Sequence, residues 1–114
     1  MLVLPITADY FYMILDGRKP LEFREAKPYW SKRLSKVFAM KEDGITPKGT
    51  DSQEVLFRNG YSKKSPAFLA VCRCYDEIKN GDDLPQSLGA KKGLQYYVLV
   101  VENIKETYNL KNNR

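Results

Sequence analysis

Apolar positions near the start of the chain predict a strand followed by a short helix. Residues 2–6 form a short apolar run that contains Pro5, which is consistent with a buried or an edge strand. Within residues 8–16, apolar pairs four positions apart give a helix one apolar face. Thr7 and Gly17 flank this segment, where an N-terminal cap and a left-handed C-terminal cap are expected. The pattern therefore predicts a buried or edge strand and a capped amphipathic helix.

Strands predominate in the rest of the chain. Apolar residues alternate with Glu22 and Arg24 over residues 21–24, which predicts a half-buried strand with both charged side chains on its polar face. Pro28 suits the first turn of a second helix, predicted over residues 28–34. Apolar runs predict further strands at residues 37–40, 55–57, 67–78 and 94–104. The last run is apolar at successive positions, so we expect it to be buried on both faces.

Together the predicted elements amount to five or six strands with two or three short helices. Loops are predicted at residues 42–52, 61–66 and 80–93, the last with one helical turn around residues 84–88. Regular alternation of strand and helix is missing, which argues against a doubly wound sheet. The pattern favours an α+β fold, a closed or partly closed mixed β-barrel with peripheral helices. We expect one domain over residues 1–114, with residues 107–114 frayed.

Composition excludes several kinds of site. The chain has no histidine, which removes the usual general base near neutral pH, and we expect neither a metal nor a cofactor. Cys72 and Cys74 are too few for a structural zinc site and too close along a strand for a disulfide, so a reducing, cytoplasmic location is expected. Residues 1–6 lack signal-peptide features, and no apolar run reaches the roughly 18 residues that cross a bilayer. No membrane partner is therefore expected.

The positive charge of the chain is local. The formal net charge is +5, and residues 18–36 hold seven basic and two acidic residues, which accounts for all of it. Such a patch favours a polyanionic partner, usually nucleic acid. A solvated helix face would give the same count, and both interpretations stay open.

Three charged residues, Lys19, Glu22 and Arg24, are the strongest candidates for a binding site. Lys19 offers a flexible ammonium to phosphate, and the guanidinium of Arg24 can bind phosphate through two hydrogen bonds or stack on a base. Glu22 can accept hydrogen bonds from base amino groups or orient either cation. The alternative is structural, because Glu22 and Arg24 can pair with each other on one strand face.

Aromatic residues beside basic ones provide further candidates. Tyr29 and Arg33 share one face of the second predicted helix, where they suit contact with a single-stranded nucleic acid. Trp30 is a contact candidate as well, although its spacing from Leu34 also fits a buried stripe. The pair Asn59-Gly60 is first of all a turn signal.

The segment Gly17-Arg18-Lys19-Pro20-Leu21-Glu22-Phe23-Arg24, placed after a short helix, resembles the Gly-x-Lys-x-x-Glu-x-Arg signature of the ASCH domain. This domain belongs to the PUA-like β-barrel superfamily. Residues 27–30 and 57–62 are similar to segments of small ASCH proteins of bacteria and phages, and the resemblance covers residues 1–104. It implies a barrel with the motif in a cleft between barrel and helices, and an RNA-associated role. It also makes Asn59 and Tyr61 candidates for the rim of that cleft.

Three functions remain as hypotheses. The first is an RNA-binding or nucleotide-recognising domain, whose partner is RNA, another single strand or a small nucleoside. The second is a metal-independent enzyme acting on RNA or a modified nucleoside. ASCH amidohydrolases place a hydroxyl residue three positions after the motif lysine, and Glu22 stands there in this chain, so the resemblance does not extend to that activity. The third is a module that binds an acidic protein.

Overall fold

The computed structural model describes residues 1–110 as an α+β fold. Its helices are α1 (Ala8–Leu15) and α2 (Pro28–Ser35). The strands are β1 (Leu2–Ile6), β2 (Leu21–Glu25), β3 (Ser52–Asn59), β4 (Ala67–Cys74), β5 (Lys79–Asn80) and β6 (Gln95–Tyr108). Two short 3₁₀ helices, Gly81–Asp83 and Gln86–Leu88, lie between β5 and β6.

The six strands form one mixed sheet that curls into a half-barrel. The strand order is β1-β3-β4-β6-β2, and β5 pairs with β6 beside this path. β1 runs parallel to β3, whereas the other pairs are antiparallel. β1 and β2 therefore stand at the two ends of the sheet. The curl of this sheet, together with the two helices, confirms a barrel-like α+β arrangement.

Hydrophobic residues lie on both faces of β6. Tyr97 and Leu99 belong to the main core, where Phe57 stacks on Phe68 with ring centroids 5.0 Å apart. Tyr96 and Val98 belong to a second cluster on the opposite face, with Phe23 and Ala90. This arrangement confirms the predicted burial on both faces for residues 96–99, whereas Glu102 and Asn103, within the predicted strand, are exposed. The reason for the burial is the central position of β6, between β4 and β2.

The two helices pack against the main core. Phe11 and Ile14 of α1 are buried in it, and so is Leu34 of α2. Gly17 follows α1 with φ of 88°, the left-handed conformation expected for the residue after a helix. Thr7 occupies the N-cap position of α1, but its side chain makes no capping hydrogen bond there.

Two predicted strands differ from the structure. Residues 37–40 are not a strand, because the N–H groups of Val37 and Phe38 donate to the Leu34 carbonyl and continue the turn at the end of α2. Met40 forms only an isolated bridge with Pro47. The strand expected over residues 67–78 ends at Cys74, and the chain bends before β5.

The ends of two other segments also differ from prediction. Two 3₁₀ helices replace the single helical turn expected around residues 84–88. Thr107 and Tyr108 were expected in a frayed tail, but they pair with Phe68 and Ala67 as the end of β6. The Asn109 side chain donates to the Lys63 and Ser65 carbonyl oxygens, and Leu110 packs against the main core, so these two residues are also held. Residues 111–114 lie outside the described residues. Within residues 1–110, no helix is both long enough and apolar enough to span a membrane.

Candidate functional site

The two end strands of the sheet approach each other along one side of the half-barrel, which we call the seam. Nη2 of Arg24, on β2, donates to the Pro5 carbonyl oxygen of β1 at 3.1 Å. Nη2 of Arg33, on α2, donates to the Val3 carbonyl oxygen at 3.4 Å. Proline suits such an edge strand because it has no N–H to leave unpaired. Arginine side chains thus bind backbone acceptors that a neighbouring strand would otherwise use.

The turn after α1 carries Lys19 into the interior. Gly17 reverses the chain, and the Lys19 N–H then donates to the Met13 carbonyl oxygen at 2.9 Å. The side chain of Lys19 is only 1% exposed. Its Nζ lies 2.5 Å from the Leu88 carbonyl oxygen. The rings of Tyr10 and Phe23 enclose it, with centroids 4.9 and 4.6 Å from Nζ.

Glu22 lies between two cations. Its Oε1 is 3.4 Å from Lys19 Nζ, and its Oε2 is 2.6 Å from Arg24 Nη2. Burial lowers the pKa of Lys19 below its ordinary value, and Arg24 lowers it further, whereas the Glu22 carboxylate partly raises it again. The pair expected on an exposed strand face is therefore a buried triad, with Glu22 only 8% exposed.

A small pocket of about 220 Å³, the inner pocket, opens beside this triad. Glu22, Phe23 and Arg24 form its wall on β2, and Tyr10 closes it from α1. Leu88 and Gly89 contribute the opposite rim. The inner pocket thus presents a carboxylate and a guanidinium beside two aromatic rings.

A larger pocket of about 480 Å³ lies on the other side of Arg24, and we call it the arginine pocket. Arg24, Arg33 and Arg58 all line it. The Nε atom of each of these three arginines is buried and has no hydrogen-bond partner within residues 1–110. Arg24 and Pro5 line both pockets, so the two pockets are adjacent and together form one candidate site along the seam.

Aromatic residues complete the arginine pocket. The guanidiniums of Arg24 and Arg33 lie 4.9 and 5.5 Å from the Trp30 ring centroid, at cation–π distance. The Tyr29 ring contacts Trp30 edge-on and is 59% exposed. Tyr61, across the pocket, is 88% exposed. Trp30 therefore orients arginines. The Arg33 guanidinium also lies over the Tyr29 ring, 5.4 Å from its centroid, whereas the Tyr61 ring is largely exposed.

The structure brings most of the sequence-predicted residues together. Seven of them line the two pockets or lie directly behind them: Lys19, Glu22, Arg24, Tyr29, Trp30, Arg33 and Tyr61. Lys19, expected to offer a flexible ammonium to phosphate, is instead enclosed behind Glu22. Trp30 is half-buried: it packs against the core, as a buried stripe predicts, and it also lines the arginine pocket, as a contact residue would.

Asn59 and Arg58 differ from the sequence prediction in opposite ways. Asn59 lines neither pocket in the described part of the chain; its N–H donates to the Pro66 carbonyl oxygen and closes the hairpin between β3 and β4. Gly60 follows with φ of 110°, as a tight turn requires. Arg58 was not singled out, although it stands opposite Pro5 in the β1–β3 register and lines the arginine pocket.

The site is strongly positive. It brings together four cationic residues, Lys19, Arg24, Arg33 and Arg58, and one carboxylate, Glu22, which pairs with Lys19 and Arg24. Across residues 1–110, no group of three or more His, Cys, Asp or Glu side chains could hold a metal ion. No family model, curated protein or solved structure matches the chain. The geometry of the seam is therefore the basis for a functional conclusion.

Proposed function

We propose that this protein binds single-stranded RNA, or a nucleotide, along the seam between β1 and β2. In this proposal the arginine pocket binds phosphate, and Tyr29 and Tyr61 stack on bases. We further propose that the half-barrel is a PUA-like barrel of the ASCH type, supported by the motif at residues 17–24. A cytoplasmic location, supported by two free cysteines, completes the proposal.

The observation that carries this proposal is the set of three arginines, Arg24, Arg33 and Arg58, that line one pocket. The Nε atom of each is buried without an acceptor, and Arg33 and Arg58 pair with no carboxylate within residues 1–110. An anionic ligand rich in acceptor oxygens would neutralise these charges and accept hydrogen bonds from the terminal guanidinium nitrogens. Phosphate has that chemistry, and the planar guanidinium matches its geometry.

The exposed tyrosines favour a nucleotide over a simple anion. Large aromatic side chains lose hydrophobic stabilisation when they stay in water, yet Tyr29 and Tyr61 are 59% and 88% exposed at the pocket rim. An aromatic face stacks on any base for about 1–3 kcal/mol, while nearby cations bind the backbone. Bases paired in a duplex cannot reach such faces, so the site suits a single strand.

A fluorescence titration tests the proposal directly. Trp30 is the only tryptophan in the chain, and it lines the arginine pocket, so its emission reports on occupancy there. We would titrate the protein with a short single-stranded RNA, the matched DNA and heparin at several salt concentrations. If three phosphates bind, log affinity should fall against log salt with a slope of about −2.

Arginine variants separate site binding from general charge attraction. Arg58→Gln removes one guanidinium from the pocket, and Arg73→Gln removes one from β4, where Arg73 pairs with Glu102 at 3.4 Å. We expect Arg58→Gln to weaken RNA binding and to make the salt slope less negative by about 0.7. Arg73→Gln should leave both unchanged. Equal losses in the two variants, or equal affinity for heparin and RNA, would contradict the proposal and favour an acidic protein partner.

An enzyme acting on RNA or a modified nucleoside is a second candidate, favoured by one observation. The pKa of Lys19 is lowered by burial, and its ammonium lies 3.4 Å from Glu22 beside the inner pocket, an arrangement that suits proton transfer. Labelled RNA and acylated nucleosides would be incubated with the protein in chelator. Turnover that is lost in a Glu22→Gln variant shown by circular dichroism to be folded would support this candidate. Absence of turnover would leave binding as the proposed function.

A further inference from the structure

Charge balance distinguishes the kinds of phosphate that the arginine pocket can hold. Glu22 is within 4 Å of two cations, Lys19 and Arg24, and partly neutralises both. Arg33 and Arg58 form no ion pair with a carboxylate in residues 1–110. The pocket therefore holds two uncompensated positive charges. A phosphodiester inside a strand brings one negative charge, whereas a phosphate monoester brings about −1.5 to −2 at pH 7.

The number of arginine donors points in the same direction. Three arginines line the pocket, and a ligand there can reach the terminal nitrogens of their guanidiniums, whereas the Nε atoms are buried. A phosphodiester has two unesterified oxygens, while a phosphate monoester offers three strong acceptors. A monoester can thus accept a hydrogen bond from the terminal nitrogens of each arginine through a separate oxygen.

We propose that the arginine pocket binds a phosphate monoester, so that the protein recognises the phosphorylated end of a single strand or a free mononucleotide in preference to the interior of a strand. This inference rests on the proposed function and deepens it. The base next to the terminal phosphate stacks on Tyr61 or Tyr29, the two exposed rings at the pocket rim. Arg33 and Arg58 balance the additional charge of the monoester.

The test compares strands that differ only at their ends. Three RNA pentanucleotides of one sequence would be titrated into the protein: one with a 5′-phosphate, one with a 3′-phosphate and one with neither. We expect one phosphorylated strand to bind at least tenfold more tightly than the unphosphorylated strand. Calorimetry gives the same comparison without relying on the Trp30 signal. Adenosine monophosphate, adenosine and inorganic phosphate would be titrated in the same way. If adenosine monophosphate binds as tightly as the phosphorylated strand, the free nucleotide is the ligand.

Variants and pH connect the preference to the pocket. Arg58→Gln should abolish the advantage of the phosphorylated strand, Arg58→Lys should retain part of it, and Arg73→Gln should retain all of it. The advantage should also decline as pH falls below about 6, where the monoester loses its second charge. Circular dichroism and urea unfolding would establish that each variant is folded, and the wild-type comparison requires no variant at all.

The outcomes separate this inference from the proposed function. Equal binding of phosphorylated and unphosphorylated strands overturns the monoester preference but leaves single-strand binding intact. A preference that survives Arg58→Gln also overturns it, because the monoester then binds elsewhere. If no strand, nucleotide or phosphate binds, both proposals fail together.

Discussion

The guanidinium of Arg24 joins the two ends of the sheet, because its Nη2 donates to the Pro5 carbonyl oxygen at 3.1 Å. The same nitrogen lies 2.6 Å from Glu22 Oε2. The guanidinium also lies 4.9 Å from the centroid of Trp30. One side chain therefore closes the seam and forms a shared wall of the inner pocket and the arginine pocket. A ligand in either pocket acts on the residue that shapes the other.

The buried triad should respond unequally to the loss of its members. Glu22→Gln leaves two buried cations without a carboxylate, and its amide can accept from only one of them, so we expect a loss of about 3–5 kcal/mol in the free energy of unfolding. Lys19→Met should cost less, on the order of 1–2 kcal/mol, because Glu22 retains Arg24 as its partner. Urea unfolding measures both.

The double variant gives the control for this prediction. In the double variant Lys19→Met/Glu22→Gln, the ammonium that Glu22→Gln would leave without its carboxylate is absent. The double variant should therefore be more stable than Glu22→Gln alone. If Lys19→Met proved as costly as Glu22→Gln, the carboxylate would not be the shared centre of the triad.

Tyr61 should contribute to binding and not to folding. Because its side chain is 88% exposed, Tyr61→Ala removes little buried surface and should change the free energy of unfolding by less than about 0.5 kcal/mol. Loss of base stacking should weaken RNA binding by about 1–3 kcal/mol. Tyr61→Phe retains the ring and serves as the matched control in the same Trp30 titration. Equal weakening by both substitutions would contradict stacking and indicate that the hydroxyl makes the contact.

Local sequence signals were sufficient for much of this site. Gly17 marked the end of α1, and the spacing of Lys19, Glu22 and Arg24 placed the latter two on one strand face, where the structure joins them. The run of apolar residues at the start of β6 correctly indicated burial on both faces at residues 96–99. These features depend on backbone geometry within a few residues, which a single sequence displays directly.

Long-range pairing determines the features that sequence reasoning missed. Arg58 joins the pocket because β3 pairs in parallel with β1 and brings it opposite Pro5, a register that no local pattern encodes. Its place within the segment 57–62, beside the predicted Asn59-Gly60 turn, was a signal that sequence reasoning did not use. The acceptor of Lys19 is the Leu88 backbone carbonyl, which has no side-chain signature at all. The loop after β5 brings Leu88 and Gly89 to the pocket that Glu22 lines, another approach between distant parts of the chain. The same sequence pattern therefore fits both an exposed pair and a buried triad.

Gly81 should be intolerant of any side chain. A Cβ there would lie 1.9 Å from the Lys91 carbonyl oxygen and 2.9 Å from Tyr96 Cε2, so the loop that provides Leu88 and Gly89 would have to shift. We expect Gly81→Ala to cost about 1–3 kcal/mol of unfolding free energy and to weaken ligand binding. Gly44→Ala is the control, because a Cβ at Gly44 meets nothing within 4 Å and only its φ of 70° opposes the change. Equal stability of the two variants would show that the loop adapts freely.

The two buried thiols should make the protein less stable at alkaline pH. Burial raises the pKa of Cys72 and of Cys74 from about 9 to about 12. Between these values the unfolded thiols lose protons that the folded thiols retain. The free energy of unfolding therefore falls as pH rises, by up to about 1.4 kcal/mol per pH unit for each thiol.

A comparison of pH slopes isolates this effect. Urea unfolding from pH 8 to pH 11 would be measured for the wild type and for the Cys72→Ala/Cys74→Ala variant. Other groups, including Lys19 with its lowered pKa, titrate in both proteins and cancel in the difference. The wild type should show the steeper decline, and its thiols should react with a disulfide reagent only in urea, since both are at most 1% exposed. Equal slopes, or rapid labelling of the folded protein, would mean that at least one thiol is open to solvent.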